Sequence, residues 1–251
     1  MLPELSFIFP DLPLPDGVHI AISTRQGGVS QGPWQSLNLG DHVGDDPAAV
    51  ATNRQRLRST LDLPAEPLWL RQVHGTQIVS WEACSGASMA SEADGAIART
   101  AGAVLAVLTA DCLPVLACSR DGQAIMALHA GWRGLAAGIL EAGITALQVE
   151  PAEILVYLGP AIGPGAFEVG PELRQCFVSQ DPGSDAAFRA GEGDRYWADI
   201  YALARRRLRH LGVREIFGGE YCTVTEAERF FSYRRDGCTG RMASLIWREG
   251  L

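Results

Sequence analysis

The chain has 251 residues, of which 47% are hydrophobic and 20% charged, and this composition is typical of a globular protein with a large core. All of its 21 basic residues are arginine, so pyridoxal Schiff bases, Walker-type phosphate loops and lysine nucleophiles are excluded. The formal net charge of −8 disfavours nucleic-acid binding, because phosphate backbones are repelled, and a small-molecule substrate fits better.

Runs rich in Val, Ile and Leu predict strands along much of the chain. These strands are Ser6–Phe9, Val18–Thr24, Leu68–Arg71, Gln77–Trp81, Ala103–Thr109, Leu113–Cys118, Gln123–His129, Ile154–Leu158 and Glu215–Gly218. Apolar residues at helical spacing predict the helices Pro47–Leu61, Gly134–Leu147, Pro171–Ser179 and Asp199–Leu211. Because the early strands follow one another without intervening helices, we expect a mixed α/β fold of the α+β class, in a single domain over residues 1–251.

The N-terminus and the apolar runs indicate where the protein works. Residues 1–15 carry two acidic residues and no basic residue, which is unlike a secretory signal. The longest apolar runs break within about ten residues, short of the ~20 that cross a bilayer. We therefore expect a cytoplasmic protein with no membrane partner, whose six cysteines are too few for a disulfide scaffold.

Three short segments carry residues suited to metal binding. His74 and His129 are each expected at the end of a strand beside small residues, and Cys112 in a break between two apolar strands. Two imidazoles and one thiolate form a three-ligand set for catalytic zinc, because the fourth position stays open to water or substrate. Taken singly, each of the three is also explained as an ordinary buried residue of the core.

These segments belong to a longer series of motifs. The motifs are TRQGGVS at 24–30, SLNLG at 36–40, QVHG at 72–75, TADCLP at 109–114, HAGWRG at 129–134 and FSYRRD at 231–236. In this order, from about Val18 to Trp247, the chain resembles the laccase-domain family, which includes the bacterial YfiH proteins.

The resemblance implies a four-layer sandwich, with helices outside two packed mixed sheets, as in the catalytic domain of cytotoxic necrotizing factor. It implies a zinc site whose ligands are His74, Cys112 and His129. It also implies phosphorolysis of adenosine, inosine, guanosine and methylthioadenosine, together with deamination of adenosine. Older labels for such proteins are polyphenol oxidase and multicopper laccase, and one bacterial branch is linked to peptidoglycan editing.

The histidines argue against a laccase copper array. They stand at positions 19, 42, 74, 129 and 210, so no His-x-His pair occurs. A multicopper oxidase binds several coppers through closely spaced histidine pairs. We therefore expect zinc as the cofactor, with copper only as an adventitious or alternative metal.

Further residues are assigned to the site around the metal ligands. Asp111 points away from Cys112 in regular strand geometry, so we expect it to orient a ligand histidine or to act as an acid/base. A structural carboxylate that accepts backbone hydrogen bonds is the alternative. His42 is expected to stabilise its own loop. The residues expected to bind substrate are Arg25, Asn38, Arg71, Arg133, Glu168 and Arg234.

Purine nucleosides and inorganic phosphate are the expected partners, and a monomer is favoured over an oligomer. Phosphate is expected beside Arg133, where the turn after His129 leads into a helix opened by Gly134. Alternatively, Arg133 pairs with a surface acid. Two other function classes stay open: a cysteine hydrolase with Cys112 as nucleophile and His129 or His74 as base, and a peptidoglycan-editing or cell-wall-binding protein.

Overall fold

The computed structural model describes residues 4–84 and 90–250, whose strands form two large sheets and one small sheet. The four-stranded sheet has the order β1-β2-β13-β5, with bounds Phe7–Ile8, Val18–Ser23, Met242–Arg248 and Val104–Thr109. The six-stranded sheet has the order β12-β8-β6-β7-β4-β3, with bounds Glu215–Gly218, Ile154–Leu158, Leu113–Ser119, Ile125–Ala130, Gly95–Ala98 and Ile78–Ser80. The small sheet has the order β10-β11-β9, with bounds Phe188–Ala190, Tyr196–Ala198 and Glu168–Val169.

The four-stranded sheet is antiparallel throughout, whereas the six-stranded sheet is mixed. Its two outer pairings, β12 with β8 and β3 with β4, are parallel. Its inner pairings are antiparallel. The mixed sheet that the run of early strands predicts is therefore present.

The helices lie between and after the strands. They are α1 (Pro47–Thr60), α2 (Trp81–Cys84), α3 (Trp132–Ala137), α4 (Ile139–Leu147), α5 (Pro171–Val178), α6 (Ile200–His210) and α7 (Tyr233–Asp236). Asp46 caps α1 and Asp199 caps α6, each by accepting a hydrogen bond from an amide of the first turn. Within the described part of the chain, no helix combines the length and the apolar character that crossing a membrane requires.

The two large sheets pack face to face, and helices cover their outer faces. The core between the sheets joins residues such as Ile22 and Leu105 of one sheet to Leu116 and Ile125 of the other. On the far side of the six-stranded sheet, α4, α5 and α6 bury their apolar stripes against it. On the far side of the four-stranded sheet, Leu57 of α1 joins the core. This order of layers, α-β-β-α, confirms the sandwich that the resemblance implied, but of the two sheets expected to be mixed, the four-stranded one is antiparallel.

Two strands that the sequence patterns did not predict hold important places in the sheets. β13 pairs with both β2 and β5 in the middle of the four-stranded sheet. β4 has four residues, begins with a glycine and lies between β3 and β7. The predicted strand Leu68–Arg71 is wrong: Leu68 bridges to Leu105 and Arg71 to Glu92, and no continuous ladder forms between two such different partners.

The predicted helix Gly134–Leu147 is two helices. Gly138 lies between α3 and α4 and has a φ of 102°. The helix breaks here because a residue in the left-handed conformation ends the hydrogen-bond ladder of a helix. The first of the two begins at Trp132, two residues before the predicted start, with Gly131 at its N-cap. His129 in β7 is thereby brought close to the start of a helix.

The chain crosses from one large sheet to the other between β5 and β6. β5 ends at Thr109 in the four-stranded sheet, and β6 begins at Leu113 in the six-stranded sheet. The three residues between them therefore lie where the ends of the two sheets meet. Cys112 is one of these three residues.

Candidate metal centre and substrate cavity

The three residues predicted as metal ligands come together at this junction. His74, Cys112 and His129 each present one donor atom, and these atoms all lie within 4.8 Å of one another. The Cys112 Sγ is 3.8 Å from the His74 Nε2. The two imidazole rings meet edge to face, with their centroids 4.8 Å apart. The segments that the motifs identify therefore converge on one point.

A buried carboxylate orients His129. The residue lies in β7, as the sequence predicts, and only 3% of its surface is exposed. Its Nδ1 is 2.8 Å from the Oδ1 of Asp94, which is fully buried at the start of β4. Because this bond occupies Nδ1, the ring offers Nε2 to a ligand, as histidines that bind metals commonly do.

The same carboxylate shapes the turn that carries His74. The residue was expected at a strand end, but it lies in a loop with a φ of 60°. The amides of Val73, His74 and Gly75 all donate to the Asp94 carboxylate, at 2.7–3.1 Å. These bonds satisfy three amides of a turn whose left-handed residue is not a glycine. Asp94 therefore holds both histidines of the cluster.

The turn that carries Cys112 is held by its own neighbour. Asp111 has a φ of 96°, and its carboxylate accepts from the Thr223 hydroxyl and from the Arg234 amide, both at 2.6 Å. Its backbone carbonyl accepts from Ile162. These contacts agree with the alternative for Asp111, a structural carboxylate that accepts backbone hydrogen bonds. The carboxylate expected to orient a ligand histidine is instead Asp94.

The groups of the cluster shift one another's pKa values. Burial by itself raises the pKa of Cys112, but the charge and hydrogen bonds of His129, with those of His74, outweigh it and lower this pKa to about 6. Burial by itself lowers the pKa of His129, but the Cys112 thiolate and Asp94 outweigh it and raise this pKa. The pKa of Asp94 stays below its ordinary range despite burial, because His129 and the Gly75 amide bond to the carboxylate.

The donor set and the space around it fit a zinc ion. Tetrahedral zinc places a sulfur ligand and a nitrogen ligand about 3.6 Å apart, close to the separation of Cys112 and His74. A thiolate with two neutral imidazoles is a usual zinc set, and it leaves a fourth position open. Gly131 lies against the cluster, because a Cβ there would be 2.9 Å from the His74 ring and 3.0 Å from the Cys112 Sγ.

The cluster borders a cavity of about 470 Å³. Its apolar and aromatic lining includes Leu108, Trp132, Ile162, Phe167, Ile200 and Tyr233. Its charged lining, apart from the cluster, consists of His42, Asp111, Arg133, Arg234 and Arg241. Cavities of this size, with few polar groups on an apolar wall, are typical of small-molecule sites.

The sequence-predicted residues divide between the cavity and the rest of the molecule. Asp111, Arg133 and Arg234 line the cavity together with the three ligands. Arg71 and Glu168 are exposed and lie outside the lining, and Arg71 forms an ion pair with Glu92. Arg234 donates to the backbone carbonyl of Glu168. Glu168 is therefore linked to the cavity wall through its main chain and not through its carboxylate.

Arg25 and Asn38 also lie outside the cavity lining, and both have structural partners. Arg25 packs on the ring of Phe231 and donates to two backbone carbonyls. Asn38 is fully buried; its Oδ1 accepts from the amides of Gly40 and Arg241, and its Nδ2 donates to Gly40 and Asp45. The amide group of Asn38 is therefore saturated by the protein, and it fixes the backbone of Arg241, which lines the cavity.

Sequence reasoning missed Asp94 and Arg241 and gave His42 only a loop role. Asp94 stands in a segment of small residues, Ala93–Ile97, where nothing signals a strand or a ligand. Arg241 follows a glycine-rich loop, outside the recognised motifs. His42 contacts Asp41 in its loop but also lines the cavity.

Comparisons with known proteins identify the family of the chain. A family model described as multi-copper polyphenol oxidoreductase laccase matches residues 19–249. Purine nucleoside phosphorylase YfiH of Shigella flexneri is 54% identical over 241 residues, which cover 96% of this chain and 98% of the relative. A purine nucleoside phosphorylase of Pseudomonas aeruginosa is 49% identical over 245 residues, which cover 97% and 99%.

Solved structures show the same likeness. A Neisseria meningitidis protein superposes with a TM-score of 0.93 at 49% identity, over 97% of this chain and 99% of that one. YlmD from Geobacillus stearothermophilus superposes with a TM-score of 0.89 at 33% identity, over 97% of this chain and 96% of that one. The fold and the family model define a laccase-like domain protein. The chain belongs to the laccase-domain family, whose bacterial members include proteins named YfiH, and this confirms the resemblance.

Proposed function

We propose that this protein is a cytoplasmic, zinc-dependent purine nucleoside enzyme that carries out phosphorolysis and also deaminates adenosine. The single observation that carries the proposal is the His74–Cys112–His129 cluster at the wall of a cavity with aromatic and arginine lining. The names of the relatives support the substrate class. The cavity volume suits a nucleoside with a phosphate beside it.

In the phosphorolysis reaction, an oxygen of hydrogen phosphate attacks the ribose C1′ as the bond from C1′ to the purine nitrogen breaks. The electron pair of the broken bond stays on the purine, which takes the phosphate proton, so the products are free base and ribose 1-phosphate. Arg133, Arg234 and Arg241 line the cavity and offer positive charge to the phosphate. Trp132, Phe167 and Tyr233 offer faces on which a purine can pack.

In the deamination reaction, water replaces the amino group of adenosine, and inosine and ammonia are formed. His74, Cys112 and His129 would hold the zinc ion, and Asp94 would keep the His129 ring in place. When bound, zinc would act as a Lewis acid that polarises water or a substrate heteroatom. The apolar side chains of the wall lower the local polarity, which strengthens each of these interactions.

The described residues support a single metal centre over a copper array. Within residues 4–84 and 90–250, the His74–Cys112–His129 group is the one cluster of its kind. His19 stacks on Trp247 and bonds to Glu249, and His210 lies near Asp181. Since a laccase needs a mononuclear and a trinuclear copper site, we expect copper loading to give no efficient reduction of oxygen to water with a phenol donor.

The test is a substrate panel on protein whose metal content has been measured. Adenosine, inosine, guanosine, methylthioadenosine and a peptidoglycan precursor are each incubated with and without phosphate. We expect about one zinc per chain, phosphate-dependent release of free base, and release of ammonia from adenosine. Cys112→Ala is expected to abolish both reactions while the circular dichroism spectrum is kept. Turnover of the peptidoglycan precursor alone would contradict the proposal.

A cysteine hydrolase is the second candidate function, and one observation favours it. The Cys112 thiol, the His129 ring and the Asp94 carboxylate follow the order of nucleophile, base and orienting acid. This function predicts that the metal-free enzyme is active and that alkylation of Cys112 destroys activity. Loss of activity with zinc removal, restored by zinc, would exclude it.

A further inference from the structure

Arg241 differs from the other arginines of the cavity in how firmly it is held. Its amide donates to the Asn38 Oδ1 at 2.9 Å, and its carbonyl accepts from the Leu39 amide. Its side-chain stem lies against Gly40, where a Cβ would be 2.8 Å from the Arg241 Cγ. Backbone and stem are therefore fixed before any ligand arrives.

Among the described residues, only one of the three guanidinium nitrogens of Arg241 has hydrogen-bond acceptors in the protein. Its Nη1 donates to the carbonyls of Thr239 and Gly240, each at 3.0 Å. Among the described residues, no protein atom accepts from Nε or Nη2, and no carboxylate lies within ion-pair distance. The two nitrogens form one edge of the planar group, and a fork of this shape binds two oxygens of an anion at once.

The surroundings of Arg241 strengthen its attraction for an anion. The residue is half-buried, and burial is the main cause that lowers its pKa. A guanidinium stays charged under such a shift, so its charge acts through a medium less polar than water. The Cys112 thiolate and then the Asp111 carboxylate are the opposite charges that act most strongly on Arg241, and the Asp111 carboxylate already accepts from Thr223 and the Arg234 amide. His42, on the same wall, has its pKa lowered by burial and by Arg241.

The other two arginines of the cavity are placed differently. Arg133 is exposed, and its guanidinium lies over the ring of Trp132, 4.5 Å from the centroid. It follows the N-cap of α3, a helix of six residues. Arg234 is exposed, and its Nη1 donates to the carbonyls of Ala166 and Glu168. Both side chains are exposed, whereas Arg241 is half-buried with its stem against Gly40.

We propose that the Nε–Nη2 edge of Arg241 is the anchor of the phosphate subsite in this cavity. This inference rests on the proposed function for the identity of the anion, and it assigns the site of the second substrate. Asn38 and Gly40 then act as positioning residues, because they fix the backbone and stem of the anchor.

The test measures the binding of inorganic phosphate to the whole zinc-loaded chain by isothermal titration calorimetry, with no nucleoside present. Arg241→Gln is expected to raise the dissociation constant about 10- to 100-fold, the range for losing a charge-assisted pair. Arg241→Lys keeps the charge but not the fork, so we expect an intermediate loss. If the glutamine variant lacks a cooperative melting transition, the lysine variant carries the test.

Two comparison variants make the result specific. Arg54→Gln removes a partly buried arginine that bonds to Leu39 outside the lining, and it is expected to keep phosphate binding within about threefold of wild type. Arg133→Gln removes a second cavity arginine, and it is expected to lose less phosphate affinity than Arg241→Gln. Loss of binding in Arg133→Gln with retention in Arg241→Gln would overturn the proposal, as would unchanged binding in both. Arg241-dependent binding of adenosine monophosphate without binding of inorganic phosphate would also overturn it.

The two proposals fail in different ways. If phosphate binds through Arg241 but releases no free base, the proposed function fails and the anion subsite stands. If base release depends on phosphate but the Arg241 variants keep the wild-type Michaelis constant for phosphate, the subsite assignment fails and the function stands. With both proposals correct, Arg241→Gln raises that constant while the deamination of adenosine continues.

Discussion

Two turns carry His74 and Cys112 of the cluster, and each has a non-glycine residue in the left-handed region. In one turn φ is 60° at His74, and in the other it is 96° at Asp111, next to Cys112. Such a conformation costs about 1 kcal/mol or more, so it persists only where the surroundings enforce it. In both turns the enforcing group is a single carboxylate.

The two carboxylates differ in origin and in reach. Asp94 comes from another segment, is fully buried, and binds three amides of the His74 turn together with the His129 ring. Asp111 belongs to its own turn, lines the cavity, and ties that turn to Thr223 and Arg234. Asp94 therefore orients two residues of the cluster at once, whereas Asp111 links the Cys112 turn to the cavity wall.

The largest expected effect follows removal of Asp94. We expect Asp94→Ala to lower the free energy of unfolding by about 3–5 kcal/mol, because it leaves buried donors without an acceptor. Zinc content should fall together with stability, since both histidines lose their support. Urea unfolding and elemental analysis measure the two effects. Full zinc content in a variant of wild-type stability would show that Asp94 does not couple the two ligands.

A smaller effect is expected where the two turns meet. Gly131→Ala places a methyl group against both the His74 ring and the Cys112 Sγ. Overpacking of this kind costs about 1–3 kcal/mol, and here it also pushes two ligands apart. We expect zinc affinity to fall about 10-fold or more in a chelator competition. Gly165→Ala, in open space, is the matched control. Equal zinc affinity in the two variants would contradict the close approach of Gly131 to His74 and Cys112.

Substitution of Asp111 should cost less than that of Asp94, because its carboxylate is partly exposed. We expect Asp111→Ala to lower the free energy of unfolding by about 1.5 kcal/mol, the low end for hydrogen bonds to a charged group. Asp111→Gly should recover about 1 kcal/mol of this loss, since glycine adopts a positive φ freely. Thermal melts of both variants measure the difference. Equal stability of the two would show that the turn stores no strain.

The smallest effect is expected at a left-handed residue outside the site. Asp62 has a φ of 47° just after α1 and lies far in sequence from the cluster. Asp62→Gly should raise the free energy of unfolding by about 0.5–1 kcal/mol without changing zinc content or activity. This variant measures the strain of the conformation alone. A stability loss there would show that the Asp62 side chain is needed by its turn.

The sequence alone indicated the three residues of the candidate metal centre and the layers of the fold. His74, Cys112 and His129 stand in motifs long enough to be recognised, and the apolar runs of β2, β5, β6, β7 and β8 are long enough to predict strands. These features are local, because hydrophobic periodicity and short motifs are properties of neighbouring residues. The four-layer sandwich followed from the same resemblance, although only the six-stranded sheet is mixed.

The tertiary structure alone decided which polar residues belong to the site. Asp94 comes opposite His129 because β4 pairs with β7, and Arg241 reaches the cavity because Asn38 and Leu39 fix the chain just before β13. Arg25 and Asn38 stand in recognised motifs yet bind the protein's own backbone. Hydrogen bonds across more than 30 residues of sequence depend on the packing of whole strands, and no local pattern records that packing.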